Sequence, residues 1–503
     1  MYEADKATEA KEGITSIDLM ERAARQAFEW IDNSLKGSQV PIHIFCGIGN
    51  NGGDGMALGR MLLSKGYSTH CYVVNYSEKR SKCFLINYDR YKNITKVWPK
   101  LIKGTHDFPE LTNEGILVDA IFGIGLNRPL EGWVKELVQH INKANAFTLS
   151  IDIPSGLFID APTPDFEAVI KANLTLTFQA PKLPFFLPET AGFTQSFQIL
   201  DIGLDPKYLF KTPTEAKLIL KNDAQGMYLP RRKFDHKGSY GHALIVGGSY
   251  GKMGAVTLAT KACLRSGTGK VTACIPKCGY STLQTAVPEA MVITDENENQ
   301  ITQFPTTEGF QAIGIGIGLG THKETANGFE DFLKNQKALL VLDADALNLL
   351  SEQKALLDLV PPKSVLTPHP GELERLIGNW KDDFEKLAKT KKLSKKLDSV
   401  IVIKGAHTIT IYQDNLYINS TGNPGMATAG TGDVLTGIIT GLMAQGYDSL
   451  IAAVFGVYLH GSAGDIASQH QGFNSMIAGD LIDFLGEAFL ELFRTEEAER
   501  NEK

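Results

Sequence analysis

Two kinds of segment in this sequence carry side chains whose types and spacing could do chemistry. One is Asn419-Ser-Thr-Gly-Asn-Pro-Gly-Met-Ala-Thr-Ala-Gly430-Thr-Gly-Asp433, which runs from a polar glycine loop straight into an apolar helical stretch at 434–443. Consecutive N–H groups around Gly430 and Gly432 could turn onto one spot and make a nest for the charge that develops during phosphoryl transfer. Asp433 at the helix start could then accept a hydroxyl proton; the plain alternative is an aspartate that only caps the helix. The other kind lies in the first half, where Gly47-Ile-Gly-Asn50-Asn51-Gly52-Gly53-Asp54-Gly55 follows an apolar run and precedes MALGRMLLSKG, with Gly66 where a C-cap belongs. Backbone amides at such a helix N-terminus favour phosphate, yet the spacing is neither GxGxxG nor a Walker loop. Two Asn and an Asp add side-chain oxygens that suit a monovalent cation or sugar hydroxyls. A tight turn that binds nothing is the alternative.

Further strand-end candidates repeat the theme. In the first half these are Val118-Asp119-Ala-Ile-Phe-Gly123-Ile124-Gly125-Leu126-Asn127-Arg128-Pro129 and Ile151-Asp152-Ile-Pro-Ser155-Gly156. In the second half they are the segments 247–255, 314–320, Asp343-Ala-Asp-Ala-Leu-Asn348, Thr367-Pro-His369-Pro-Gly-Glu372 and Lys404-Gly405-Ala406-His407-Thr408. Ligands of open α/β sheets collect beyond the carboxyl ends of strands, although a single loop Asp is more often a helix cap.

The elements that must position these groups are legible as hydrophobic periodicity. Thr15 and Asp18 resemble a reciprocal cap ahead of Ile17, Met20, Ala24, Ala27, Phe28 and Ile31 at helical spacing. Apolar runs at 42–46, 70–74, 116–121 and 147–151, separated by helix-length segments, predict a doubly wound parallel sheet. Prolines crowd residues 180–230, so a boundary is expected near 211–225. Alternation then restarts at 242–246, 270–275, 312–317, 339–342, 364–366 and 400–403, with a hairpin at 412–418 turning around Asp414 and Asn415 and a helix at 433–444. The mixed-sign stretch 381–396 reads as a solvated helical face, and the tail EEAERNEK reads as a fraying end.

Composition narrows the function classes. The 503 residues exceed one core, so two or more domains are expected. Lys+Arg 50 against Asp+Glu 57 gives a net charge of −7, which opposes nucleic acid as a partner. The charged N-terminus is unlike an export signal, and no apolar run is read as reaching the roughly 18 residues of a membrane span. Cys46, Cys71, Cys83, Cys263, Cys274 and Cys278 are scattered, as in reduced cytoplasmic proteins.

The motifs also carry a resemblance. GxGNNGGDG, the LMERAA helix, VDAIFGIGLNRP and IDIPSG resemble the NAD(P)H-hydrate epimerase domain over most of residues 1–215. The resemblance implies that Asn50, Asn51, Gly52, Gly53 and Asp54, with Gly123, Ile124, Gly125, Leu126, Asn127, Arg128 and Pro129, hold the hydrated dinucleotide. It further implies that Asn51, Asp119 and Ser155 coordinate potassium and that Asp152 faces the substrate as the acid/base group. Residues 216–503 resemble the ADP-dependent NAD(P)H-hydrate dehydratase family with its ribokinase-like fold. By that resemblance Lys404, Gly405, Ala406, His407, Thr408 and Gly432 contact the nucleotide, and Ala255, Gly318, His369 and Asp433 contact the hydrate. Glu372 is a candidate magnesium ligand by a weaker analogy to sugar and vitamin kinases. Of two departures from the family pattern, Ile317 and Ala429, neither touches the proposed base Asp433.

The expected class is thus α/β throughout, a Rossmann-like doubly wound domain followed by a ribokinase-like one. The order of the two resembles the bifunctional NAD(P)H-hydrate repair family. The partners implied are the hydrates of NADH and NADPH together with ADP, without nucleic acid or membrane, and a homo-oligomer is expected by resemblance alone. A vitamin-precursor kinase and an RNA-associated binding module remain as alternatives.

Overall fold

A computed structural model describes residues 1–96, 98–336 and 338–494; the tail EEAERNEK lies outside the described residues. The chain forms two compact units, one of Met1–Pro213 with Asp382–Phe384 and one of Thr214–Lys381 with Glu385–Lys503.

The first unit contains β1 (Ile42–Cys46), β2 (Thr69–Val74), β3 (Lys100–Ile102), β4 (Ile116–Ala120), β5 (Phe147–Ile151), β6 (Leu174–Phe178) and β7 (Phe197–Leu200). All seven pair in parallel in the order β3-β2-β1-β4-β5-β6-β7, the doubly wound arrangement with its switch between β1 and β4. Its helices are α1 (Tyr2–Glu12), α2 (Ser16–Leu35), α3 (Asn50–Lys65), α4 (Lys82–Thr95), α5 (Gly132–Lys143) and α6 (Pro206–Lys211). The expected cap of α2 is present: Asp18 N–H donates to Thr15 Oγ1 and Thr15 N–H returns a bond to Asp18. Gly66 ends α3 at φ 97. The short strands β3, β6 and β7 were not read from sequence. The first is three residues at an edge, and the other two sit among turns that mask their period.

The NNGGDG segment is not a loop, because Asn50 already begins α3. Its glycines serve packing. A Cβ at Gly52 would lie 1.8 Å from Gly47 O, and one at Gly55 would lie 2.7 Å from Ala120 Cβ. Absent side chains let α3 settle onto β1 and β4, so this backbone approaches the sheet where sequence reading had it approach a ligand.

In the second unit the strands are β8 (Ala216–Ile219), β9 (His242–Val246), β10 (Lys270–Ile275), β11 (Met291–Thr294), β12 (Ala312–Ile315), β13 (Leu339–Leu342), β14 (Val365–Leu366), β15 (Val400–Ile403), β16 (Ile409–Tyr412) and β17 (Asn415–Asn419). They order as β11-β10-β9-β12-β13-β14-β15-β16-β17-β8, parallel except where β16 pairs with β15 and β17. The hairpin turns at Gln413 and Asp414, with Gln413 at φ 57, one residue earlier than expected. The helices are α7 (Lys221–Met227), α8 (Met253–Arg265), α9 (Tyr280–Ala286), α10 (Lys323–Asn335), α11 (Asp345–Glu352), α12 (Pro370–Ile377), α13 (Asp383–Leu397), α14 (Thr431–Ala444), α15 (Ser449–Gln471) and α16 (Ala478–Glu491).

Two sequence expectations fail here. α15 is 23 residues long with a mean hydropathy of 1.4 over its best 18-residue window, so one helix does reach membrane-spanning length and composition. That window is 72% buried within the structure, and its apolar surface packs against α14 and α16. The 381–396 stretch is not simply a solvated face either. α13 buries Leu387, Thr390, Leu393 and Ser394, residues whose spacing the abundant lysines obscured.

Candidate active sites

In the first unit the switch point gathers the predicted oxygen ligands. Asp119, last but one in β4, is buried, and its two oxygens accept bonds from Ile121 N, Ser155 Oγ (2.6 Å), Ser150 Oγ (2.9 Å) and Ser155 N (2.8 Å). Ser155 Oγ in turn accepts from Phe122 N, and Asn51 Nδ2 donates to Phe122 O at 3.0 Å. Asn51, Asp119 and Ser155 therefore do converge: Ser155 bonds Asp119, and Phe122 meets Ser155 through its N–H and Asn51 through its carbonyl. Burial pushes the Asp119 carboxyl up, against the pull of its hydrogen bonds from Ser155. A buried carboxylate among neutral hard oxygens suits a large monovalent cation, which would offset that desolvation.

Beside them opens a cleft of about 1250 Å³, lined among others by Tyr2, Asn50, Asp54, Asn127, Asp152 and Lys182. Gly123, Ile124, Gly125, Leu126 and Arg128 also line it, whereas Pro129, Gly52 and Gly53 do not. Asp54 makes no hydrogen bond or ion pair among the described residues, and burial, then Asp152 and Asp5, push its carboxyl well above the usual range. Asp152 sits at φ 68, a left-handed conformation that costs a non-glycine residue about 1 kcal/mol. Its Oδ1 accepts from Lys182 Nζ at 2.6 Å and from Phe178 N at 3.1 Å. Sequence reading missed Lys182, which stands in a proline-rich stretch with no periodic signal. It missed the helix carrying Tyr2 as well.

In the second unit Asp433 is the third residue of α14, and the cap is Gly430 at φ 93. The capping alternative is thereby excluded. Thr431, Gly432 and Asp433 present three successive amides that no backbone carbonyl accepts among the described residues. Burial and then Asp343 push the Asp433 carboxyl up to about 6, while Lys404 pulls it down. Its carboxylate has no hydrogen-bond partner among the described residues. His460, pushed down to about 4 chiefly by burial, donates from Nε2 to Thr431 O at 2.9 Å and ties α15 to this turn. Asp465, also on α15, accepts from Gly422 N and Asn423 Nδ2 and shapes the loop ahead of the nest.

Lys404 reaches into the same place. Its Nζ donates to Asp343 Oδ1 at 2.8 Å, lies 3.9 Å from Glu372 Oε2, and would lie 3.4 Å from a Cβ built on Gly432. Burial alone would lower the lysine's proton affinity, yet Asp343, with Glu372 and Asp433, carries it above the ordinary lysine value. Asp343 Oδ2 accepts from Thr436 Oγ1 at 2.7 Å, so both its oxygens are engaged. Asp343 was not named as a site residue, although its strand-end position in a motif already singled out was the signal to do so.

His369 is the N-cap of α12. Its Nδ1 accepts from Gly371 N at 3.0 Å and Glu372 N at 3.4 Å, and Glu372 Oε2 accepts from His369 N at 2.8 Å. The expected substrate contact is thus also a helix cap, and Glu372 is buried and already bonded. Gly318, at φ 62, lies against Ala255: a Cβ there would sit 3.2 Å from Ala255 Cβ. Gly405 and Ala406 are exposed, Thr408 Oγ1 donates to Gly405 O at 3.3 Å, and His407 Nδ1 pairs with Asn419 O at 3.4 Å.

A family model described as NAD(P)H-hydrate dehydratase matches residues 243–486, and one described as YjeF-related protein N-terminus matches residues 16–183. The bifunctional NAD(P)H-hydrate repair enzyme of Moorella thermoacetica is 37% identical over 96% of this chain and 94% of its own length. That of Thermofilum pendens is 32% identical over the same shares. A solved ribokinase-like superfamily protein from Enterococcus faecalis is 28% identical, with a TM-score of 0.50, covering 56% of this chain and 98% of that one. The expected ribokinase-like second half holds. With near-full-length relatives of this kind, the chain belongs to the family of bifunctional NAD(P)H-hydrate repair enzymes.

Proposed function

We propose that this chain repairs hydrated NADH and NADPH in two steps. Residues 1–215 interconvert the R and S epimers of the hydrate, and residues 216–503 dehydrate the S form with ADP, giving AMP and phosphate. The observation that supports the reading most directly is that, among the described residues, Asp433 has no hydrogen-bond partner and lies beside three amides that no carbonyl accepts. Hydroxide is a poor leaving group and phosphate a good one. Asp433 takes the proton of the hydrate hydroxyl, the oxygen attacks the transferred phosphoryl group, and the amides of 431–433 stabilise the charge that builds up. Lys404, held by Asp343, adds a positive charge next to the nest. Ala255 and Gly318 line the hydrate's place, and Gly405, Ala406, His407, Thr408 and Gly432 line the nucleotide's. Among the described residues no three His, Cys, Asp or Glu side chains gather to hold a metal ion. Magnesium here would draw ligands from the nucleotide phosphates, as that ion commonly does.

In the first unit the ring nitrogen's lone pair expels the C6 hydroxyl and a planar cation remains. Asp54 lends a proton to the departing oxygen, Asp152 takes one from the water that returns to either face, and that proton passes back to Asp54 before the next turnover. Asn51, Asp119 and Ser155 would hold potassium, which supplies fixed positive charge near the dinucleotide. A reducing cytoplasm is in keeping with six free thiols, and the homo-oligomer rests on the family resemblance.

The test supplies pure R or S hydrate to the full-length protein. Without nucleotide only interconversion is expected; adding ADP and magnesium should restore the dihydronicotinamide absorbance. A stable phosphorylated alcohol in its place would make the protein a small-molecule kinase.

A further inference from the structure

Lys182 has no place in the scheme above, yet it is among the most confined charges in the first unit. It is 7% exposed. Its Nζ donates to Asp152 Oδ1 at 2.6 Å and to Thr177 Oγ1 at 2.8 Å, and lies 3.0 Å from Ala180 O and 3.1 Å from Phe178 O. An ammonium has three protons, and the four acceptors around this one already exceed them. Nothing is left for a ligand to use.

The consequence falls on Asp152. Oδ1 is held twice, by Lys182 Nζ and Phe178 N, whereas Oδ2 has no hydrogen bond among the described residues. The surrounding backbone is bent to make this possible, since Asp152 at φ 68 and Gln179 at φ 61 are both left-handed non-glycine residues. Such strain persists only where neighbouring contacts over-determine it. Residues 177–182 therefore wrap the lysine around one oxygen of a carboxylate whose residue lines the cleft.

We propose that Lys182 is the positioning residue of the epimerisation site: it clamps Oδ1 of Asp152 so that Oδ2 alone is presented to the reacting water. The inference rests on the reading that the first unit epimerises the hydrate. In the step concerned the water oxygen bonds C6, its proton passes to Oδ2, and the electron pair of the N=C6 bond returns to the ring nitrogen. Lys182 takes no proton in this step.

The test uses the full-length protein with purified R hydrate and no nucleotide, reading epimer interconversion by chromatography from pH 5.5 to 9. Lys182→Met should lower kcat about 100-fold near neutrality with KM changed less than about threefold. Lys182→Arg keeps the charge and the donors and should retain more of the rate than Lys182→Gln, which keeps a donor without the charge. A KM raised in step with the fall in kcat, or a kcat within a factor of two of the wild type in the Met or Gln variant, overturns the assignment. Should the unaltered protein interconvert the epimers no faster than buffer, the epimerase reading itself fails, which is a different result.

Discussion

The two sites share out their carboxylates differently. In the first unit Asp119 accepts four hydrogen bonds, Asp152 is clamped through Oδ1 with Oδ2 left open, and Asp54 makes none among the described residues. In the second unit Asp343 takes up the saturated role, with Lys404 and Thr436 on its two oxygens, and Asp433 has no hydrogen-bond partner among the described residues. A carboxylate with both oxygens occupied, as at Asp119 and Asp343, can orient a cation or a lysine but is a poor base. One kept free, in a place that burial and Asp343 make unfavourable for charge, is ready to take a proton. Division of labour between neighbouring acids is therefore read from hydrogen-bond occupancy, not from residue type.

The sharpest way to break this contrast is Asp433→Asn. Dehydration should fall about 1000-fold, within the usual range for a lost general base, while epimerisation continues; an unimpaired recovery of dihydronicotinamide absorbance would remove Asp433 from the chemistry. Asp152→Ala should do the reverse.

Lys404→Met tests the saturated partner, because it strands Asp343 as a buried charge without its counter-ion. Denaturant unfolding should report a loss of about 3 kcal/mol, and a loss below about 1 kcal/mol would mean the pair is not what holds Asp343.

A smaller effect has a definite sign. Asp433 binds its proton more tightly folded than unfolded, its carboxyl being raised to about 6 from an ordinary value of 3.8. Stability from this group is present below the unfolded value and is lost as pH rises through about 6. Asp433→Asn removes that penalty, so the variant should be more stable than the wild type by about 2 kcal/mol at pH 7.5 and no more stable at pH 3.5. Equal stability differences at both pH values count against a buried, unpartnered carboxylate. The dehydration rate should correspondingly rise with pH through about 6.

Smallest is His369→Ala, which removes the cap of α12 and should cost about 1 kcal/mol. Asn at this position should recover most of that stability, and if it does not recover the KM for the hydrate, His369 both caps the helix and contacts substrate.

Several features of both sites were legible in the amino-acid order, because they are local. The capping box at Thr15, the C-cap at Gly66, the parallel strands 42–46 and 147–151, and the Gly430-Thr-Gly-Asp433 turn into α14 each depend on residues within a few positions of one another. The reading failed where the reason for a residue lies across the fold. The glycines of 52–55 read as a loop in the sequence, and only the sheet beneath α3 shows them to be contact points. α15 carries membrane-like apolar length whose burial is visible only once α14 and α16 surround it.

Chain order alone determined the α/β alternation, the strand-end placement of Asp119 and Asp152, the helix-start placement of Asp433, and the glycine turn ahead of it. Tertiary structure alone decided which of those carboxylates is occupied. Lys182 and Lys404 come from distant segments, and no local propensity records where a long flexible side chain ends. The pairing of a buried charge is set by desolvation, which exists only after the units have packed.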